Sequence, residues 1–284
     1  MSASAPASVA IAVAQFAPGD DEQQNLERIE RLAGDAANRG ALLVVFPEYS
    51  SYFSRTMPGA EAVEHGQSLH GPFVRALAEL ANELGIHLVA GMIERLTGDL
   101  ERVANTVVAL DPQGELVASY RKVHLYDAFG SRESDWLAPG PLAEPATFPF
   151  AGFTAGLQTC YDVRFPEVTR RLVDARADLV LMPREWVRGP LKETHWRTLA
   201  TARAIENTVY FAAADHAPPI GVGTSLVVDP MGVEVATAGE CDGEVAVAWI
   251  SPARIAEVRR INPALALRRF RIAEPDSPPR GSGP

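Results

Sequence analysis

Apolar positions along this chain switch between two rhythms. Val9 to Phe16 is a short apolar run, and from Asn25 to Asn38 the residues Leu26, Ile29, Leu32, Ala33 and Ala36 recur at helical spacing. Gly40 ends that stretch, Ala41 to Phe46 is apolar again, and Pro47 stops it. The opening therefore predicts strand, helix and strand, a unit that joins two parallel strands by a right-handed crossover. Phe73, Leu77, Leu80, Ala81 and Leu84 mark a second helix ended by Gly85, and Ile86 to Met92 a third strand. Val103 to Leu110 and Leu116 to Val123 flank the turn signal Asp111-Pro112-Gln113-Gly114 and predict a hairpin. Tyr126 to Pro149 is polar and proline-rich with neither rhythm. It predicts a long loop, and loops of that length are usually functional or disordered.

The second half repeats the alternation. Phe153 to Thr159 predicts a strand, Pro166 to Ala175 a helix, and Leu179 to Met182 a strand stopped by Pro183. Glu193 to Asn207 predicts a helix with Trp196, Leu199, Ala200, Arg203 and Ala204 turned inward, and Val209 to Ala214 a strand. Thr224 to Asp229 and Val233 to Ala236 form a second hairpin pattern around Asp229-Pro230-Met231-Gly232. Glu244 to Ile250 and Pro252 to Ile261 close the pattern as strand and helix, with proline at the helix start. Strands alternating with helices, plus two hairpins, predict an α/β protein with mixed sheets. No linker or repeat breaks residues 9–273, which read as a single domain. Residues 1–8 and the tail 274–284, rich in Pro, Ser and Gly, predict disordered ends.

Composition narrows the class. The chain has 284 residues, 47% hydrophobic and 22% charged, as in soluble globular proteins. A net charge of -10 argues against nucleic acid as a partner, because phosphate binding needs a basic surface. No apolar stretch reaches the ~20 residues that span a bilayer. The start, Met1-Ser2-Ala3-Ser4-Ala5-Pro6, lacks the basic and apolar regions of a signal peptide. Cys160 and Cys241 make no disulfide framework and no zinc pattern, so a reducing, cytoplasmic setting is expected. Nothing calls for a metal or a cofactor.

Candidate chemistry lies where strands end. Cys160 follows a strand-like run and opens a charged segment before a helix, the place an α/β enzyme gives a nucleophile. On position alone it reads equally well as a buried structural cysteine. Glu48 follows Phe46-Pro47, and Lys122 lies in Tyr120-Arg121-Lys122-Val123-His124. Each alone reads as a solvated charge. Together the three make a coherent set. A partly buried glutamate has the raised pKa suited to take a thiol proton. A nearby ammonium favours the thiolate and stabilises an oxyanion.

Those three segments, with Cys160-Tyr161-Asp162-Val163-Arg164-Phe165-Pro166-Glu167, resemble the nitrilase superfamily of carbon–nitrogen hydrolases. Glu133-Ser134 followed by Pro139-Gly140, His195-Trp196, Ala202-Arg203-Ala204-Ile205-Glu206-Asn207 and Gly223-Thr224-Ser225 match in the same order. The resemblance implies a four-layer αββα sandwich, a homodimer, and a Glu-Lys-Cys triad that hydrolyses a small-molecule amide. In it Glu48 takes the Cys160 proton, Cys160 attacks the amide carbon, and Lys122 with the Tyr161 backbone N–H holds the oxyanion. Ammonia leaves a thioester, which water activated by Glu48 then cleaves. Glu133 matches the family's second glutamate, which orients Lys122 and the substrate, although its surroundings match only in part.

Cys160-Tyr161-Asp162 is the pattern of the amidase branches, where true nitrilases typically carry Cys-Trp-Glu. Lys122 to Phe129 resembles the branch of ω-amidase and deaminated-glutathione amidase, which implies terminal amides of small 2-oxo acids or related peptides. An N-carbamoyl amino acid hydrolase, which also releases carbon dioxide, is the alternative enzyme. A catalytically lapsed binding protein on the same fold is the alternative outside enzymes. Tyr49, Phe129, Tyr161 and Trp186 are candidate pocket walls. Arg164 reads either as a substrate-carboxylate binder or as a salt bridge to Asp162, Glu167 or another acid. His124 is expected to support Lys122, and His195 to pack or cap a helix, rather than to serve a Cys-His mechanism. Pro183-Arg184-Glu185-Trp186 departs from the small residues often found there in the family, so altered substrate fit is expected.

Overall fold

The computed structural model describes residues 8–57 and 59–273. The disorder expected for 1–7 and 274–284 lies outside the described residues. In chain order the elements are β1 (Val9–Gln15), α1 (Glu22–Asn38), β2 (Ala41–Val45), α2 (Gly59–His65), α3 (Pro72–Leu84), β3 (His87–Arg95), β4 (Val103–Leu110) and β5 (Leu116–Arg121). There follow β6 (Thr147–Phe150), β7 (Phe153–Leu157), α4 (Pro166–Asp174), β8 (Leu179–Pro183), α5 (Lys192–Asn207), β9 (Tyr210–Ala214), β10 (Leu226–Val228), β11 (Glu234–Thr237), β12 (Glu244–Ile250) and α6 (Pro252–Ile261).

Two six-stranded mixed sheets result, ordered β12-β1-β2-β3-β4-β5 and β11-β10-β9-β8-β7-β6. Each has three parallel strands at its heart, β1-β2-β3 in one and β7-β8-β9 in the other, with antiparallel strands outside them. Period-two alternation explains why both faces of the central strands are buried. In β1, Ile11 and Val13 face the space between the sheets, while Ala12 and Ala14 face α1 and α3. The inter-sheet core joins Val45, Val89 and Val107 of the first sheet to Leu157, Leu179 and Ala212 of the second. On the outer face of the second sheet, Leu172 of α4 and Trp196, Ala200 and Ala204 of α5 cover Val180, Met182 and Phe211. The layers are thus helix, sheet, sheet, helix. Burying a large apolar side chain here contributes about 1.5–3 kcal/mol.

Local chemistry sets the ends. Asp21 caps α1 by accepting from the Gln24 amide at 3.0 Å. Gly85 closes α3 at φ 65°, a left-handed position that glycine occupies without strain. The stretch expected to be a structureless loop from Tyr126 to Pro149 is partly ordered. It contains a 3-10 turn at Glu133–Asp135 and the edge strand β6. Pro149 hid β6, because proline is tolerated in a strand only at an edge, where its missing N–H is not needed. The short helix α2 carries only Ala62 as a buried residue and left no apolar periodicity to read.

Candidate active site

The carboxyl ends of the central strands of both sheets meet. β2 runs out through Phe46 and Pro47 to Glu48, β7 runs through Gln158 and Thr159 to Cys160, and β8 runs through Arg184 to Glu185. Lys122 stands one residue past β5, not inside the strand expected there. Glu48 and Lys122 are buried and Cys160 is 6% exposed.

The charges form a chain. Lys122 Nζ donates to Glu48 Oε1 at 2.9 Å and to Glu133 at 2.9 Å. Glu48 also accepts from Asn105 Nδ2, and its second oxygen accepts the Glu185 backbone N–H at 2.6 Å. Glu133 takes further hydrogen bonds from the Tyr49 hydroxyl at 3.0 Å and the Tyr126 amide at 2.6 Å. Burial pushes the Glu48 carboxyl up, while Lys122 and the neighbouring Cys160 thiol oppose the rise. The thiol itself donates to the Glu185 backbone carbonyl at 3.4 Å. Burial also raises the Cys160 thiol, aided by Glu48 and opposed by Lys122. Burial pushes the Lys122 pKa down, but Glu133, Glu48 and Cys160 outweigh it and hold the pKa well above the usual lysine value. The cation is therefore fixed, and a proton leaving the thiol has a basic carboxylate beside it.

The thiol is presented by a sharp turn. Cys160 has φ 41°, a left-handed conformation for a residue with a Cβ, which costs on the order of 1–2 kcal/mol. Asp162, fully buried, holds that turn. Its Oδ2 accepts from the Tyr120 hydroxyl at 2.8 Å, and its Oδ1 contacts the His124 amide at 3.1 Å and His124 Nδ1 at 2.8 Å. Thr159 donates its hydroxyl to the Pro183 carbonyl at 2.7 Å. His124 thus ties the nucleophile turn to the lysine segment, and its ring stacks on Phe165 at 3.7 Å. This corrects the expectation that it supports Lys122 directly.

Arg164 makes no salt bridge with Asp162 or Glu167, because Asp162 is already committed to Tyr120 and His124. Its guanidinium lies 5.0 Å from the Trp186 ring, 5.6 Å from Phe129 and 5.9 Å from Tyr161. Four of the expected pocket residues, Phe129, Tyr161, Arg164 and Trp186, therefore gather on one wall. Tyr49 belongs to another, a cavity of about 540 Å³ that Tyr126, Glu133 and Glu185 also line. A second cavity of about 310 Å³ adjoins it through Phe53, Arg55, Glu185 and Val187, and reaches Arg188 and Ile220.

Some site residues carried no readable signal. Asn105 lies within β4, a mostly apolar strand, and only the tertiary pairing of that strand, with Asn105 opposite Ile93 of β3, brings it to Glu48. His216 holds the Glu48 carbonyl through Nε2 at 2.7 Å, and burial lowers its pKa to about 4, keeping the ring neutral. Arg184 pairs with Asp215 at 3.1 Å beneath the site, both fully buried, with its guanidinium 3.4 Å from the Trp196 ring. Glu185 keeps some exposed surface at the cavity, yet burial raises its carboxyl well above the usual range, with Glu48 and Glu133 adding to the rise.

Gly91 shows how tightly Glu48 is held. A Cβ added there would lie 2.5 Å from the Glu48 Cα and 2.8 Å from the Tyr49 amide nitrogen. Gly91→Ala should therefore displace Glu48 and lower kcat by about a hundredfold, as an ångström-scale misplacement does. Steady-state kinetics beside near-UV circular dichroism checks this; wild-type kcat in the folded variant would contradict it.

A buried carboxylate, ammonium and thiol converging at the strand ends of an αββα sandwich define a hydrolase with a cysteine nucleophile. The carbon–nitrogen hydrolase family model matches residues 10–260, and the chain belongs to that family, within the nitrilase superfamily. It is 36% identical over 262 residues to the deaminated glutathione amidase of Escherichia coli O157:H7, covering 92% of this chain and 97% of that one. The Caenorhabditis elegans NitFhit protein superposes with a TM-score of 0.84 at 28% identity, over 94% of this chain and 66% of that longer one. A mutant amidase of Nesterenkonia AN1 superposes at 0.75 with 29% identity, covering 92% and 97%. Another mutant of that amidase carries the acetamide moiety of fluoroacetamide on its active-site cysteine.

Proposed function

We propose that this protein is an amidohydrolase that cleaves the C–N bond of a small linear amide through a thioester on Cys160. The observation that carries the reading is the unbroken chain Glu133–Lys122–Glu48 at hydrogen-bond distance, with the Cys160 thiol beside Glu48. Glu48 accepts the thiol proton as sulfur attacks the carbonyl carbon. Lys122 and the Tyr161 N–H receive the developing oxyanion. Glu48 returns the proton to the amide nitrogen, the C–N bond breaks, and ammonia or an amine departs. Water then gives a proton to Glu48, adds to the thioester and releases the acid and the thiol. Glu133 positions Lys122 for both halves.

The acyl group in this reading belongs to an ω-amide of a 2-oxo acid or to deaminated glutathione. Arg164, with no salt bridge to an acid among the described residues, supports a carboxylate at its end, and Tyr49, Phe129, Tyr161 and Trp186 wall the site. The linked cavities of about 540 and 310 Å³ have room for a peptide leaving group. A cytoplasmic homodimer belongs to the same reading. The apolar side chains exposed late in the chain, Ile261, Leu267 and Phe270, support pairing.

The test combines trapping with turnover. Fluoroacetamide should place its acetamide moiety on Cys160, seen by peptide mass mapping, and ω-amides should release ammonia without carbon dioxide. Equal ammonia and carbon dioxide from N-carbamoyl amino acids, with no ω-amide turnover, would install the carbamoyl hydrolase instead. No adduct at Cys160 and no turnover would leave a binding protein.

A further inference from the structure

Lys192, the first residue of α5, is 6% exposed and has no carboxylate partner among the described residues. Its ammonium donates to the Tyr126 hydroxyl at 2.7 Å and stands 4.0 Å from the Phe129 ring, 5.0 Å from Tyr126 and 5.6 Å from Trp186. Phe129, itself 68% exposed, is the outer cover, so the ammonium is enclosed but shallow. Arg164 is packed against Phe129 and Trp186 as well. Its Nε is buried without a hydrogen-bond partner, and its Nη2 reaches only His195 Nδ1 at 3.4 Å.

Two cations thus share one aromatic box with no anion between them. Cation–π contacts offset part of the lost hydration. They do not remove the mutual repulsion of like charges, nor the desolvation penalty of a charge buried unpaired. Burial and Arg164 both push the Lys192 pKa down, while Cys160 and Glu185 pull it up, so the ammonium lies within electrostatic reach of the nucleophile. Tyr126, its one hydrogen-bond acceptor, lines the larger cavity. Two cations packed on the same aromatic rings, with no carboxylate partner among the described residues, are short of one anion.

We propose that Lys192 is a specificity-determining residue that binds the carboxylate of the acyl group alongside Arg164, so that the enzyme selects anionic ω-amides over neutral amides of equal length. This rests on the amidase reading above. Lys192 reaches the carboxylate from α5 while Arg164 reaches it from the nucleophile turn, and their charged heads lie 5.6 Å and 5.0 Å from the Trp186 ring. A neutral acyl group leaves both cations unsolvated. The preference therefore arises from a penalty on the wrong substrate as well as from attraction to the right one.

The test compares glutaramate with pentanamide, which differ by a carboxylate in place of a methyl group. In Lys192→Met the ratio of kcat/KM values, glutaramate over pentanamide, should fall by about tenfold to a hundredfold, the worth of one charge-assisted hydrogen bond. The fall should appear mainly in the KM for glutaramate. Lys192→Arg should retain the wild-type preference. An equal loss on both amides would overturn the proposal, since it would mean that Lys192 acts on the thiol or on the fold. An unaltered ratio would overturn it too. If Lys192→Met does not melt cooperatively, Lys192→Gln, which keeps a donor for Tyr126, carries the same comparison. Failure of the amidase reading looks different: wild-type protein would then hydrolyse neither amide.

Discussion

Cys160→Ala should lose turnover by about 10⁴-fold or more while melting within a few degrees of the wild type. The two halves of that expectation have separate causes. Alanine has no nucleophile, and no other thiol can substitute, because Cys241 is exposed in a turn away from the charged chain. Glu48 and Lys122 would remain, so weak general-base hydrolysis by water is the most that could persist. For the fold, Cys160 lies at the edge of the core formed by Val163, Met182 and Trp186. Losing its sulfur removes one small buried atom, which costs about 1 kcal/mol. The φ of 41° is no harder for alanine than for cysteine, and the turn stays pinned through Asp162. Ammonia release, thermal melting and mass mapping with fluoroacetamide check both halves. Turnover within tenfold of wild type would mean that another residue carries the acyl group.

The central strands and the two long outer helices on each half were legible because their apolar periods run for several residues. Ile29, Leu32 and Ala36 of α1 reach the core as their spacing predicts. The same reading lost β6, whose Pro149 is acceptable only because the strand is an edge, a fact of tertiary pairing. Position after apolar runs made Glu48, Lys122 and Cys160 candidates only as a set, and the fold brings the three together. Asn105, His216 and Lys192 were not among the candidates. Asn105 and Thr106 interrupt an apolar strand by two polar residues, as many strands do, and only the register Asn105↔Ile93, with the bond to Glu48, gives Asn105 meaning. Arg164 stays open between two readings in the sequence because the competing demand on Asp162 comes from Tyr120, distant in sequence. What escapes the sequence is therefore which partner a polar group finds when several are near. That choice is decided across the two sheets.

Lys122→Met should lower kcat by about 10²- to 10³-fold, the usual loss when an oxyanion partner is removed, and should destabilise the fold by about 3–5 kcal/mol. Methionine fills most of the volume, so packing changes little. The charge is the issue. Glu48 and Glu133 both point at the Lys122 ammonium at 2.9 Å, and without it two carboxylates face each other with no cation between them. The destabilisation should depend on pH, and its sign follows from the Glu48 carboxyl. Burial already raises its pKa in the folded protein, and Lys122 is the chief group opposing that rise. Removing Lys122 raises it further above the value in the unfolded chain. Between those two values the folded state holds a proton that the unfolded state has released. Stability then falls as pH climbs through that window. The deficit relative to wild type should accordingly be larger at pH 8 than at pH 5. Urea denaturation of both proteins at the two pH values measures it. A deficit of the same size at both would assign the lost stability to packing around the lysine stem, and the site would not be the electrostatic unit that its geometry describes.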